Sequence, residues 1–241
     1  MDLLPVEIVN EILIKVNKIT LYNASQVCKE WRLLSLKQVT KIMEAGGFHK
    51  ACRQGDLLTI IRSRLNVDWI NNSLLTACLG GHKPVIELMI AKGANDWNVG
   101  LYGACLRGSL AIVELMIAKG ANSWNGGLHA GCRGGHKQLA ELMIAKGAND
   151  WRLGLKMSCE EGHADLATLM IDKGADNWNE SLESACFGGS KELVELMIVK
   201  GADNWNGGLY CACQAGHKDL MMLMIAKGAT SCYCGKFLEE H

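Results

Sequence analysis

The sequence carries no net charge and contains no long apolar run. Its 241 residues hold 25 lysines and arginines against 25 aspartates and glutamates, so no global field would steer the protein toward nucleic acid or an anionic membrane. No apolar stretch approaches the roughly 18 residues that a membrane-spanning helix needs. Acidic residues also interrupt the N-terminal MDLLPVEIVNEIL, which is unlike a signal peptide. We therefore expect a cytoplasmic protein with no nucleic-acid and no membrane partner.

The chain is rich in cysteine, and the spacing of these residues decides what they indicate. Eleven cysteines are present, whereas disulfide frameworks are typical of secreted chains under about 100 residues that lack a core. Hydrophobic residues make up 49% of this chain and charged residues 21%, which is typical of a folded globular protein with a core of its own. The cysteines therefore need an explanation other than disulfide bonds.

The sequence repeats itself every 27 residues. Gly-Ala dipeptides from Gly93 to Gly228 keep this interval, as do one tryptophan and one cysteine per repeat: Trp97, Trp124, Trp151, Trp178 and Trp205, and Cys78, Cys105, Cys132, Cys159, Cys186 and Cys213. The interval defines six units, at 71–97, 98–124, 125–151, 152–178, 179–205 and 206–232. A degenerate unit near 47–70 precedes them.

Each unit reads as two short helices. In the unit NGGLHAGCRGGHKQLAELMIAKGANDW, small and apolar residues at i, i+3, i+4 and i+7 predict one face of a first helix: Leu128, Gly131, Cys132 and Gly135. The buried face of the second helix is predicted to comprise Leu139, Leu142, Met143 and Ile144, with Gly147 as its left-handed cap. Neither helix can bury its face alone, so the units should stack into an all-α solenoid.

This pattern resembles the ankyrin repeat, whose consensus is approximately T-P-L-H-x-A-A-x-x-G-H-x-x-V-V-x-L-L-L-x-x-G-A-D. The matching positions in one unit are Leu128-His129, Gly131-Cys132, Gly135-His136, LAELMI and Gly147-Ala148-Asn149. The units are about six residues shorter than the ankyrin repeat, and the Thr-Pro is replaced by N-x-[GS]. A tight loop is therefore expected where ankyrin repeats carry a β-hairpin finger, as in the shortened ankyrin arrays of large DNA viruses of amoebae.

The recurring cysteines and histidines are expected to be structural. Each unit offers only a Cys-x-x-x-His pair, whereas structural zinc needs four ligands, and helices about 8–10 Å apart keep equivalent cysteines beyond disulfide reach. The cysteines are predicted to be small buried thiols, and the histidines to meet free backbone N–H groups at the start of the second helix. No metal and no cofactor is predicted. A zinc site is kept as an alternative only at two C-x-C pairs: Cys211 with Cys213, and Cys232 with Cys234.

The tryptophans are expected in the loops between units. There each would fill the gap that the missing finger leaves and pack on its neighbours. A row of tryptophans that binds a ligand is the alternative.

Positions that differ between the units are those that packing does not determine. They follow the repeated leucine and the repeated cysteine of each first helix, and in ankyrin arrays the corresponding surface lines the groove that holds partners. The predicted target-binding residues are Tyr102, Leu106, Arg107, His129, Arg133, Lys156, Glu160, Glu161, Phe187, Tyr210 and Gln214. Neutral drift on a solvated face is the alternative.

The period is absent from the first 46 residues, which read as three short helices with too little core to stand alone. This segment resembles the F-box through Leu4-Pro5, Ile12-Leu13 and the VCKEW that ends at Trp31. The resemblance implies docking onto a Skp-type adaptor of a cullin–RING ubiquitin ligase. The candidate adaptor-binding residues are Leu4, Pro5, Ile8, Ile12, Leu13 and Val16. An amphipathic cap on the first repeat unit is the alternative.

The predicted organisation is a three-helix F-box at 1–46, an ankyrin-type solenoid of about seven short units at 47–232, and a C-terminal cap or tail at 233–241. We expect a monomer that recruits an unknown target protein to the ubiquitin ligase, in the host cytoplasm if the protein is viral. No residue is expected to be catalytic. The alternative is a protein-binding scaffold or virion component with a vestigial F-box.

Overall fold

The computed structural model describes residues 53–55 and 67–231. These residues form twelve α-helices and no strand. The helices are α1 Val67–Gly80, α2 Lys83–Ala91, α3 Trp97–Arg107, α4 Leu110–Lys119, α5 Trp124–Gly134, α6 Lys137–Ala145, α7 Trp151–Glu161, α8 Ala164–Asp172, α9 Trp178–Gly188, α10 Lys191–Lys200, α11 Trp205–Ala215 and α12 Lys218–Ala226. The predicted all-α class is confirmed, and the odd-numbered first helices from α3 onward begin every 27 residues.

The chain divides into two compact units. Of the described residues, the first unit contains 53–55, 67–104 and 111–121, and the second contains 105–110 and 122–231. In the first unit α1 packs on α2. In the second unit each of the first helices α5, α7, α9 and α11 packs on the second helix of its own hairpin, and these first helices also contact one another in chain order. Four hairpins of the second unit therefore form a stack.

Each first helix buries its leucine in the core, and the first helices from α1 to α9 also bury their cysteine, whereas Cys213 of α11 is half-buried. In α7, Leu155 and Cys159 have no exposed surface. The second helices bury a narrower stripe than the sequence predicts: in α6 it comprises Leu139, Ala140 and Met143, while Leu142 and Ile144 are only half-buried. Consecutive side chains on a helix point about 100° apart, so residues on either side of Met143 turn away from the core.

Glycines in the left-handed region end both helices of a hairpin. Gly135 follows α5 with φ 75°, and Gly147 lies after α6 with φ 111°. Other residues rarely adopt this conformation, which is why helices so often end at glycine. The left-handed cap predicted at Gly147 is confirmed.

An asparagine at the second position of the first helix closes the loop that replaces the ankyrin finger. Asn125 Oδ1 accepts the backbone N–H groups of Asn149 and Asp150 at 2.8 and 3.1 Å, and its Nδ2 donates to Asn149 Oδ1 at 3.3 Å. The backbone part of this arrangement recurs at Asn179 and Asn206, and also at Asn71, which lies further inside the longer helix α1. The loop is therefore held by a side chain of its own unit, without any strand pairing.

The prediction that the tryptophans lie in these loops is wrong. Each of the five begins a first helix and is half-buried there. The residue before it acts as the N-cap: Asp150 accepts the N–H of Leu153 at 3.3 Å, and Asn204 accepts that of Gly207 at 3.2 Å. In these helices the capping satisfies an end group, and the helix starts earlier than the apolar pattern alone indicates; Ser123 and Asn177, at the start of α5 and α9, make no such bond.

Candidate protein-binding surface

The variable positions of the first helices form two rows in the second compact unit. One residue per helix follows the buried leucine, and this first row comprises His129, Lys156, Glu183 and Tyr210. Another follows the repeated cysteine, and this second row comprises Arg133, Glu160, Phe187 and Gln214. Equivalent residues are neighbours because α5, α7, α9 and α11 contact one another in order. Glu183 lies in the first row although it is absent from the predicted binding residues.

All eleven predicted target-binding residues lie at the surface to some extent. Arg107, Arg133, Glu161, Phe187 and Gln214 are exposed, and the remaining six are half-buried: Tyr102, Leu106, His129, Lys156, Glu160 and Tyr210. The second row is thus more accessible than the first. Their part in target binding stays a prediction.

Arg133 joins two neighbouring hairpins through carboxylates. Its Nε donates to Glu161 Oε1 at 3.0 Å, and its Nη2 lies 3.8 Å from Glu160 Oε1. These side chains are 26–44% exposed, and ion pairs of this kind stabilise a fold by less than about 1 kcal/mol. A partner could therefore compete for these charges at small cost.

Side chains of the first row also contact the residue that precedes the first helix of the next hairpin. Glu183 Oε1 accepts a hydrogen bond from Asn204 Nδ2 at 2.6 Å, and Nε2 of His129 lies 3.1 Å from Asp150 Oδ2. Burial lowers the pKa of His129, although the nearby Asp150 carboxylate opposes that shift. Side chains in the first row are thus partly committed to positioning the N-cap residues.

The histidines do not cap the second helices, and the prediction that they bind free backbone N–H groups there is wrong. His136, His163 and His217 make no capping hydrogen bond. The long imidazole side chain reaches back to the preceding hairpin instead, and Nε2 lies 3.3 Å from Arg133 O in His163 and 3.0 Å from Phe187 O in His217. Ser190, which is too short for this, accepts the N–H of Leu193 at 3.5 Å and caps α10.

Five of the six repeated cysteines are buried thiols, as predicted, whereas the sixth, Cys213, is only half-buried. Burial raises the pKa of Cys78, Cys105, Cys159 and Cys186 to about 12. In Cys132 burial raises the pKa to about 11, because a hydrogen bond with Ser158 opposes the shift. The seven cysteines of the described residues form no disulfide. Thiols protonated this strongly are poor nucleophiles and poor metal ligands.

Only one of the two C-x-C pairs proposed as an alternative zinc site lies within the described residues. Cys211 and Cys213 are half-buried on α11, whereas Cys232 and Cys234 lie outside the described residues. Within 53–55 and 67–231, no three histidines, cysteines or carboxylates are grouped so that they could hold a metal ion. None of the twelve helices is both long and apolar enough to cross a membrane.

Alkylation should separate the buried thiols from those of α11. We expect iodoacetamide at neutral pH to leave Cys78, Cys105, Cys132, Cys159 and Cys186 unmodified in the folded protein, because reaction requires a solvated thiolate. Cys211 and Cys213 should react first among the cysteines of the described residues. Timed labelling with peptide mass mapping measures this, and the protein unfolded in urea is the control. Rapid native-state labelling of Cys132 would contradict the buried assignment.

The fold and this surface define the class of a helical-hairpin repeat protein with a variable outer row. Residues 1–42 match the F-box domain family, which confirms the F-box predicted at the N-terminus. The structure resembles the ankyrin repeat domain of human ASB11, with a TM-score of 0.49 and 25% sequence identity over 77% of this chain and 99% of that chain. No curated protein matches the chain in sequence. The adaptor-binding residues Leu4, Pro5, Ile8, Ile12, Leu13 and Val16 lie outside the described residues and stay predictions.

Proposed function

We propose that this chain is a substrate receptor of a cullin–RING ubiquitin ligase. Its F-box would bind a Skp-type adaptor, and its repeat units would bind a target protein. The observation that carries the proposal is the match of residues 1–42 to the F-box domain, because docking onto such an adaptor is what the resemblance to the F-box implies. F-box and ankyrin-repeat families are typically non-enzymatic adaptors.

The repeat units support the second half of the proposal. Their core positions are nearly identical from unit to unit, whereas the second row changes from arginine to glutamate, phenylalanine and glutamine along α5, α7, α9 and α11. Packing does not require these differences, since the four positions are exposed or half-buried. A row in which every unit presents a different side chain suits recognition of one particular partner.

The proposed mechanism is positioning. A receptor that holds the target beside the ligase converts an encounter between two molecules into one within a single complex, and thereby raises the effective concentration of the target's lysines. This needs no reactive group on the receptor. The shortened units favour an origin in a large DNA virus of amoebae, and we place the activity in the cytoplasm, which would then be that of the host.

Binding of a purified Skp-type adaptor tests the proposal. The full chain should bind it, and a variant with Leu4, Pro5 and Ile8 all changed to alanine should bind at least about tenfold more weakly, because truncating interface anchors commonly costs about 2 kcal/mol or more. The matched control is Phe187→Ala, on the repeat surface, which should leave adaptor affinity unchanged. Circular dichroism should show that the repeat helices stay folded in both variants.

Failure of the unmodified chain to bind any Skp-type adaptor would overturn the receptor function. The chain would then be a protein-binding scaffold or virion component whose F-box no longer docks. Equal binding by the triple variant would instead reject the predicted contact residues.

A further inference from the structure

Phe187 is an exposed aromatic side chain that the fold does not need. It is 45% exposed, and it is the one aromatic among the exposed large apolar side chains of the described residues. Equivalent positions in neighbouring units hold Arg133, Glu160 and Gln214, so packing accepts polar side chains there. Aromatic residues are enriched in protein interfaces, where they serve as anchors.

The backbone at Phe187 is held from both sides. Its carbonyl oxygen lies 3.0 Å from His217 Nε2 at the start of α12. On the other side Gly188 approaches α7 so closely that a Cβ at this position would collide with the Glu160 carbonyl oxygen. These contacts limit the movement of the α9 end that carries the ring. Because the backbone is already held in place, only the side-chain freedom of Phe187 is lost when a partner binds the ring.

Two acidic residues are neighbours of Phe187 in the arrangement of the helices. Glu160 is brought alongside by the close approach of α7 and α9, and Glu183 lies one helical turn before Phe187 on α9. Arg133 favours Glu161 at 3.0 Å over Glu160 at 3.8 Å, so the charge of Glu160 is only partly compensated. Lys156 and Glu183 both influence the pKa of Cys211, and Glu183 also accepts the hydrogen bond from Asn204.

We propose that Phe187, Glu160 and Glu183 form the anchor of the target-binding surface, and that it accepts a protein segment bearing an arginine or lysine. The cation would lie on the face of the ring, and Glu160 would bind its N–H groups. This inference rests on the proposed function, because it specifies the partner chemistry of the same surface. A purely apolar segment would use the ring but not the carboxylates, and the test distinguishes the two.

Selection from a displayed library of random linear peptides, with the full chain as bait, tests the proposal. The selected peptides should be enriched in arginine and lysine. A selected peptide, synthesised and measured by fluorescence anisotropy, should bind at least about tenfold more weakly to Phe187→Ala. Glu160→Gln, which keeps the shape of the side chain, should lose about threefold to tenfold, and binding should weaken as salt is raised.

Val199→Ser is the matched control, because Val199 is an 81% exposed apolar residue on α10, outside the two rows. It should leave peptide affinity unchanged. Selected peptides without basic residues, affinity that Phe187→Ala leaves intact, or no selectable peptide would each overturn the proposed anchor. Adaptor binding, measured on the same preparations, tests the receptor function separately. If the adaptor still binds while the peptide results fail, the anchor is rejected and the receptor function is not.

Discussion

Changing Leu155 to alanine is expected to lower the free energy of unfolding by about 2–5 kcal/mol. Leu155 has no exposed surface, and its helix α7 packs on α5, α8 and α9 in the second compact unit. Removing the methine carbon and the two methyl carbons of the side chain loses buried apolar area and leaves a cavity, which helices packed on three sides can only partly close. Urea denaturation followed by circular dichroism measures the loss.

Leu153 provides the matched control within the same helix. It lies two residues earlier on α7 and is 36% exposed, so the same change to alanine removes atoms that already contact water. The expected loss for Leu153→Ala is below about 1 kcal/mol, in the range of surface substitutions. Equal losses for the two variants would show that Leu155 is not in the core.

The second large effect is expected from Gly188→Ala, which should destabilise the protein by about 1–3 kcal/mol. A Cβ at Gly188 would collide with the Glu160 carbonyl oxygen, and it would lie 2.8 Å from the Glu160 carbonyl carbon and 3.1 Å from the Cys159 carbonyl oxygen. All three are backbone atoms, which cannot rotate away. Relief therefore requires α9 to move relative to α7, and this opposes the modest helix-propensity gain of alanine over glycine.

Gly154→Ala is the control for this prediction. A Cβ at Gly154 would lie 2.6 Å from Sδ, at the flexible end of the Met170 side chain. The three heavy atoms nearest to it are all side-chain atoms. Ser181 occupies the equivalent position in α9 and is fully buried, which shows that a Cβ can be accommodated there. Gly154→Ala should change stability by less than about 1 kcal/mol, and equal destabilisation by the two alanines in urea denaturation would reject the backbone collision as the cause.

The candidate binding surface shows which of its properties the repeat pattern predicts and which it does not. Comparing the units correctly separated the surface positions from the buried leucines and cysteines, because a position that tolerates Arg133, Glu160 and Phe187 in turn is under no common packing constraint. The links between these side chains could not be predicted. The bond of Asn204 to Glu183 joins residues 21 apart, and it depends on where one hairpin places its loop against another.

The sequence by itself determined the interval of 27, the two helices of each unit, the glycines that end them, the leucine that each first helix buries and the cysteine that all but the last of them bury. These follow from local propensity and periodicity, which act within a few turns of chain. The tertiary structure decided the roles of the tryptophans, the asparagines and the histidines. Asn125 finds its partners 24 and 25 residues later, and His217 finds its partner 30 residues earlier. Such partners become neighbours only once the hairpins fold and stack, so the period shows that these residues recur but not which atoms they bind.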